Sequence, residues 1–263
     1  MFWVLWLLVA YFMGAIPFGL LIAKYFKGID PRLEGSKNTG GTNVARLCGT
    51  QYGVLTVALD VFKGFLPVYI LTTIHDGWFF TTIIALTAIL GHCYSVFLDM
   101  KGGKAVATSI GAFMAVSFVS TFWAVAALIA VIYFSGYVSL GSLTFAATLP
   151  VFALLSGNIA YVPLAAAITA ILFLRHKENI IRLSRGEENP WTKTKMEEKV
   201  QEAKKAAEEV TTVAKKTVKK ATAKKTTAAK KTTTTKKAPA KKAAPKKTTA
   251  KKAAPKKTTK KDD

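Results

Sequence analysis

The 263 residues carry 37 Lys and Arg against 15 Asp and Glu, a formal net charge of +22, yet 51% of them are hydrophobic. The two properties lie apart: residues 193–263 hold 25 lysines against seven acids, and residues 1–192 hold 12 basic against eight acidic residues. Nearly unbroken apolar runs between short polar interruptions exclude a soluble core and point to an all-α, multi-pass membrane bundle. Cys48, in a basic loop, and Cys93, in an apolar span, have no partners at metal-ligand spacing and are poorly matched for a disulfide, so no metal or cofactor is expected.

A crossing helix needs about 20 apolar residues. Phe2–Ala23 meets this first; no charge precedes it and Lys24 and Lys27 follow, so it reads as a retained helix and not a cleaved signal. Val54–Thr73 is the second span and carries Asp60 and Lys63, three apart on one helix face. Phe79–Phe97 is the third, with His92 near its end. Residues 105–174 contain no charge and are interrupted at Ser135-Gly136, Pro150 and Gly157–Pro163. Two long helices there give five crossings, whereas four short ones, some only partly spanning, give seven. The breakers favour about seven.

Loops after the odd-numbered spans are basic: Lys24, Lys27, Arg32, Lys37 and Arg46 follow the first, Lys101 and Lys104 the third, and the chain beyond Leu174 is basic throughout. The turn His75-Asp76-Gly77 holds no Lys or Arg, which places the N-terminus outside and the C-terminus in the cytoplasm. Past Trp191, Met196–Lys220 suits a marginal amphipathic helix, and KKAAPKKTTA at 241–250 recurs as KKAAPKKTTK at 251–260. Such sequence cannot bury enough apolar area to offset the entropy of ordering. The expected organisation is a membrane domain over 1–192 and a disordered tail over 193–263, suited to tethering on anionic lipid or to nucleic-acid phosphates.

Three inner segments hold most polar residues of the body. Glu34–Asn43 is rich in small, hydroxyl and amide side chains around Gly40-Gly41 and is followed by Arg46, a combination suited to an anion or to a plain flexible loop. Lys101-Gly-Gly-Lys104 enters an apolar helix, where free N–H groups and the helix dipole favour an anion; alternatively, its lysines mark the inner face. Arg175–Glu188 puts His176, Asn179 and Arg182 on one helical face, or forms a basic helix at the lipid headgroups.

Together these motifs resemble a known family. Ser-x-Asn-x-Gly-x-Thr-Asn over 36–43 with Arg46, Lys-Gly-Gly-Lys-Ala-Val-Ala-Thr over 101–108, and His-x-Glu-Asn-Ile-x-Arg-Leu-x-x-Gly-x-Glu over 176–188 are similar to the bacterial acyl-phosphate:glycerol-3-phosphate acyltransferases. Gly14-x-Ile-Pro-Phe-Gly-Leu and Gly91-His92 match as well. That family often has glycine at positions 37 and 105, where this chain has Lys37 and Ala105, a departure that touches the first loop's turn.

The resemblance implies an enzyme of phospholipid synthesis in the inner membrane. It would move a fatty acyl group from acyl phosphate to the 1-hydroxyl of glycerol 3-phosphate, yielding lysophosphatidic acid. Ser36, the first-loop amides around Asn38, Gly41 and Thr42, and Arg46 would hold acyl phosphate and stabilise its oxyanion. Lys104, the Gly102-Gly103 amides, His176 and Arg182 would hold glycerol 3-phosphate, while Asn43 and Asn179 position the reacting groups and Glu188 pairs a nearby base. His176 or an oxygen of the donor's own phosphate would act as general base. No Asp lies five residues after His75, His92 or His176, so the dyad of the acyl-CoA-dependent enzymes is missing. Beside the two substrates and membrane lipids, a contact with the soluble enzyme that makes acyl phosphate stays open. The rival class is a transporter with Asp60 and Lys63 on its pathway.

Overall fold

A computed structural model of the chain describes residues 1–75 and 77–191. The lysine-rich tail lies outside the described residues, as does the whole of the second contact unit, Ala203–Asp263; the first unit is Met1–Glu202. In chain order the helices are α1 (Phe2–Ala15), α2 (Phe18–Lys27), α3 (Gly41–Cys48), α4 (Thr50–Ile74), α5 (Trp78–Cys93), α6 (Val106–Met114), α7 (Phe118–Ser135), α8 (Val138–Leu155), α9 (Val162–Arg175) and α10 (Lys177–Ser184). The described residues contain no strand. Helices fit these sequences because hydrocarbon offers no partner to backbone groups, and a helix satisfies its own.

Among the described residues, Phe2–Lys27, Thr50–Ile74, Trp78–Leu98, Phe118–Ser135 and Val138–Leu155 are long and apolar enough to cross a membrane. Ile159–Arg175 with Lys177–Ser184, bent by 63°, makes a sixth if taken as one span. The chargeless stretch does resolve into four helices, α6 to α9. One of them is partial: α6 has nine residues, which at 1.5 Å per residue reaches roughly 14 Å of the ~30 Å needed.

Two breaks differ from the sequence expectation. Pro150 sits inside α8 without ending it. Proline lacks the N–H that would bond the carbonyl four residues back, and the Thr169 hydroxyl of α9 donates to that carbonyl, Ala146 O, at 2.6 Å. Conversely, the first span is interrupted at Ile16-Pro17. Its loose carbonyls are also claimed from other helices: Ser95 Oγ donates to Ala15 O at 2.6 Å, and Lys63 Nζ to Ile16 O at 2.7 Å. Asp60 pairs with the same ammonium at 2.7 Å, both side chains being at most 5% exposed. Asp60 and Lys63 therefore fasten α4 to the break between α1 and α2.

Close helix contact sets the height of α6. A Cβ at Gly64 would lie 2.1 Å from Thr108 O, and one at Gly111 would lie 1.9 Å from Val61 O. Only glycine lets α4 and α6 approach so nearly. The buried core beside them is built from Ile84, Ile89, Phe113, Phe145, Leu149, Ile168 and Leu172.

Replacing Thr169 by Val should lower stability in detergent by about 1 kcal/mol, because Ala146 O loses its donor. In a Pro150→Ala background the helix supplies that donor again and the same replacement should cost less; the pair of melting-temperature differences measures the coupling.

Candidate active site

A cavity of about 500 Å³ joins the three polar segments at one end of the bundle. Its polar wall includes Ser36, Asn38, Arg46, Lys104, His176, Asn179, Arg182 and Glu188. Val57 of α4, Ile110 of α6, Leu128 and Ile132 of α7, and Val138 of α8 line the apolar remainder. Gly41, Thr42 and Asn43 also border it, whereas Gly102 and Gly103 do not.

The first segment folds around one amide. Asn43, 1% exposed, donates through Nδ2 to Pro31 O, Glu34 O and Asn38 O at 2.9–3.1 Å, and its Oδ1 accepts the Ser36 N–H at 2.9 Å. With every polar atom engaged, Asn43 shapes the loop and leaves nothing for a reacting group. Asn38 Oδ1 accepts from Gly40 N–H in a local turn that leads into α3. The amides of Gly41 and Thr42 open α3 and so lack helical acceptors. Arg46 donates from Nη2 to Asn189 O at 3.2 Å, while its buried Nε has no hydrogen-bond partner. Burial lowers the Arg46 pKa, with Glu188 opposing and Arg182 reinforcing the shift.

The second segment corrects the expectation for its glycines. Gly102 N–H donates to Cys93 O at 3.0 Å and Gly103 N–H to His92 O at 3.1 Å, so these amides are used against the end of α5. The amides left without helical acceptors lie further on, in the first turn of α6 at Val106 and Ala107, which border the cavity. Lys104 projects into the cavity and its Nζ donates to Asn179 Oδ1. Burial brings the Lys104 pKa down to about 8.

In the third segment the His176 Nδ1 lies 2.7 Å from Leu172 O. A carbonyl can only accept, so Nδ1 carries a proton and Nε2 is the acceptor in the neutral ring. Glu188 accepts from Asn179 Nδ2 at 2.6 Å and from Arg182 Nε at 2.7 Å. Burial raises the Glu188 pKa, but these two bonds, together with Ser139 and the charge of Arg182, outweigh it and leave the carboxyl below its ordinary value. The segment after α10 then ties the site together: Asn189 O takes Arg46, and Trp191 N–H donates to Gly136 O at 2.7 Å in the α7–α8 turn. Sequence reasoning placed Asp60 only on a rival transport pathway and gave no site role to His92, yet both line the cavity; nor did it give one to Arg175. Their signal was weak, since a polar residue inside a span identifies no partner.

The glycerol-3-phosphate acyltransferase family model matches residues 4–186. The glycerol-3-phosphate acyltransferase of Maridesulfovibrio salexigens is 54% identical over 195 residues, which is 74% of this chain and 100% of that protein. The chain belongs to the glycerol-3-phosphate acyltransferase family. Two crystal structures of PlsY, described as an integral membrane glycerol 3-phosphate acyltransferase, are 37% and 38% identical, with TM-scores of 0.71 and 0.68. They align over 74% and 72% of this chain, and over 98% and 95% of the solved chains.

The two departures noted within this acyltransferase sequence fall where the backbone is left-handed. Lys37 has φ 53° and Ala105 has φ 60°. A residue with a Cβ ordinarily costs about 1–2 kcal/mol in that conformation. Lys37→Gly and Ala105→Gly should each raise stability by about 0.5 kcal/mol once glycine's greater unfolded entropy is deducted, read as a small rise in melting temperature.

Proposed function

We propose that this chain transfers a fatty acyl group from acyl phosphate to the 1-hydroxyl of glycerol 3-phosphate, releasing lysophosphatidic acid and inorganic phosphate. The observation that carries this reading is one cavity whose wall combines cations and helix N-termini with apolar side chains. Each substrate brings a phosphate and one of them brings a hydrocarbon chain. Related structures described as glycerol 3-phosphate and lysophosphatidic acid forms support the acceptor and the product.

In this reading Arg46, Ser36 and the first-turn amides of α3 hold the acyl phosphate, and the same donors stabilise the oxyanion. Its acyl chain runs past Val57, Ile110, Leu128 and Ile132. Lys104, Arg182 and the first turn of α6 hold the phosphate of glycerol 3-phosphate. Glu188 fixes Arg182 and Asn179, which in turn steadies Lys104. The glycerol oxygen then attacks the acyl carbon, the carbon–oxygen bond to phosphate breaks with its electron pair, and phosphate departs. The hydroxyl proton finishes on that phosphate, relayed by His176 Nε2. The site faces the cytoplasm of a bacterial inner membrane, as the basic loops imply. Residues 1–192 carry the chemistry, and the tail serves as an electrostatic tether to anionic lipid or nucleic acid.

Purified full-length protein, given labelled glycerol 3-phosphate with acyl phosphate, acyl-CoA or acyl carrier protein in turn, should form lysophosphatidate only with the first. Comparable rates with a thioester would overturn the donor, and glycerol 3-phosphate uptake into vesicles without acylation would overturn the enzyme. A chain ending at Trp191 should retain the activity; its loss would give the tail a part in catalysis.

His176→Gln should lower kcat by about 100-fold at saturating substrates. Near-normal turnover would move the proton directly to the donor's phosphate.

A further inference from the structure

The α5–α6 loop is gripped from both sides. The amides of Gly102 and Gly103 bond to Cys93 O and His92 O, as described above. Their carbonyls bond to one side chain at the end of α9: Arg175 Nη2 reaches Gly102 O at 2.9 Å and Gly103 O at 3.0 Å, and Nε reaches Gly103 O at 3.1 Å. The guanidinium carbon lies 5.4 Å from the ring centre of Tyr94, the residue just after α5, which braces it. Beneath the loop, a Cβ on Gly103 would come within 2.2 Å of His92 Nε2, and His92 Nδ1 lies 3.1 Å from Thr108 Oγ1 on α6. Lys104 follows this grip immediately, and α6 begins two residues later.

We propose that Arg175 is a positioning residue for Lys104: its fork on the carbonyls of Gly102 and Gly103 holds the loop where the lysine and the first turn of α6 reach the acceptor phosphate. Arg175 is not part of the cavity wall. The proposal rests on Lys104 binding glycerol 3-phosphate, as set out under the proposed function. It gives the paired glycines a different purpose from an anion cradle, since they permit close seating on His92 and present two carbonyls to one guanidinium. Lysine cannot replace the fork, because a point charge does not address two carbonyls in a plane.

Arg175 also acts on Lys104 through charge. Burial lowers the Lys104 pKa most, Arg182 and Arg175 lower it further, and Glu188 and Glu178 oppose them. Asn179 touches the ammonium, and His176 stands near it. Lys104 is charged below about pH 8, so acceptor affinity should fall as pH rises through that value.

The test is steady-state kinetics of full-length Arg175→Lys, Arg175→Gln and Lys104→Met. Both Arg175 variants should raise KM for glycerol 3-phosphate by about tenfold or more while KM for acyl phosphate stays near wild type. The alkaline limb of kcat/KM for glycerol 3-phosphate should stay in place in Arg175→Lys, which keeps the charge, and move upward in Arg175→Gln. An unchanged KM for glycerol 3-phosphate in either variant, or equal rises for both substrates, overturns the positioning role. Should Arg175→Gln not fold, Arg175→Lys decides on KM alone. Lys104→Met should abolish the limb and raise the same KM; if it does neither, the substrate reading of Lys104 fails and the grip on the loop stands only as architecture.

Discussion

Inside a hydrocarbon layer a backbone carbonyl or amide that leaves its helix must find a partner within the protein, because no water can replace one. This chain leaves its helices repeatedly, and side chains from elsewhere meet the exposed groups. Ser95 and Lys63 take the carbonyls at the α1–α2 break, and Thr169 takes the one freed by Pro150. Ser117, Ser120, Ser156 and Asn158 interlock where α6 gives way to α7 and α8 ends. Apart from the Ser117–Ser120 bond at the start of α7, each such bond joins segments distant in sequence. The interruptions therefore serve as the cross-links of the bundle, and they explain a buried Asp60–Lys63 pair without a transport pathway.

The same accounting separates groups that build the site from groups left to act. Asn43 spends all its hydrogen-bonding capacity on the first loop, and Gly102 and Gly103 spend theirs between α5 and Arg175. Glu188 holds Asn179 and Arg182. Beyond these lie the buried Nε of Arg46, the Lys104 ammonium and the opening amides of α3 and α6. A cluster of cations in a partly buried place is unfavourable on its own. The depressed Lys104 and Arg46 pKa values express that cost, and an arriving phosphate would relieve it.

Strain appears at the same place. Lys37 and Ala105 hold left-handed backbone in the two turns that lead into the cavity. Such conformations persist where the surroundings over-determine them, and Asn43 on one side and the His92–Arg175 grip on the other are those surroundings. The contact between Gly64, Gly111 and the facing backbones then fixes the height at which α6 starts. Both turns are thus held by parts of the molecule distant in sequence.

Hydropathy and charge accumulate along the chain, so the sequence alone determined a helical, multi-span body, its basic loops and the three segments that carry the polar side chains. The motifs within those segments were enough to identify the family. Only the tertiary structure decided that Pro150 stays within α8, that the first span breaks at Pro17, and that the amides of Gly102 and Gly103 bond to the end of α5. It alone revealed Asn43 as a loop-former and Arg175 as the grip on the second segment. The physical reason is common to all five: each depends on which group satisfies a backbone carbonyl or amide, and in every case but that of Asn43 the partner lies on another helix. Asn43 belongs with them because spacing within a loop does not say which way an amide turns.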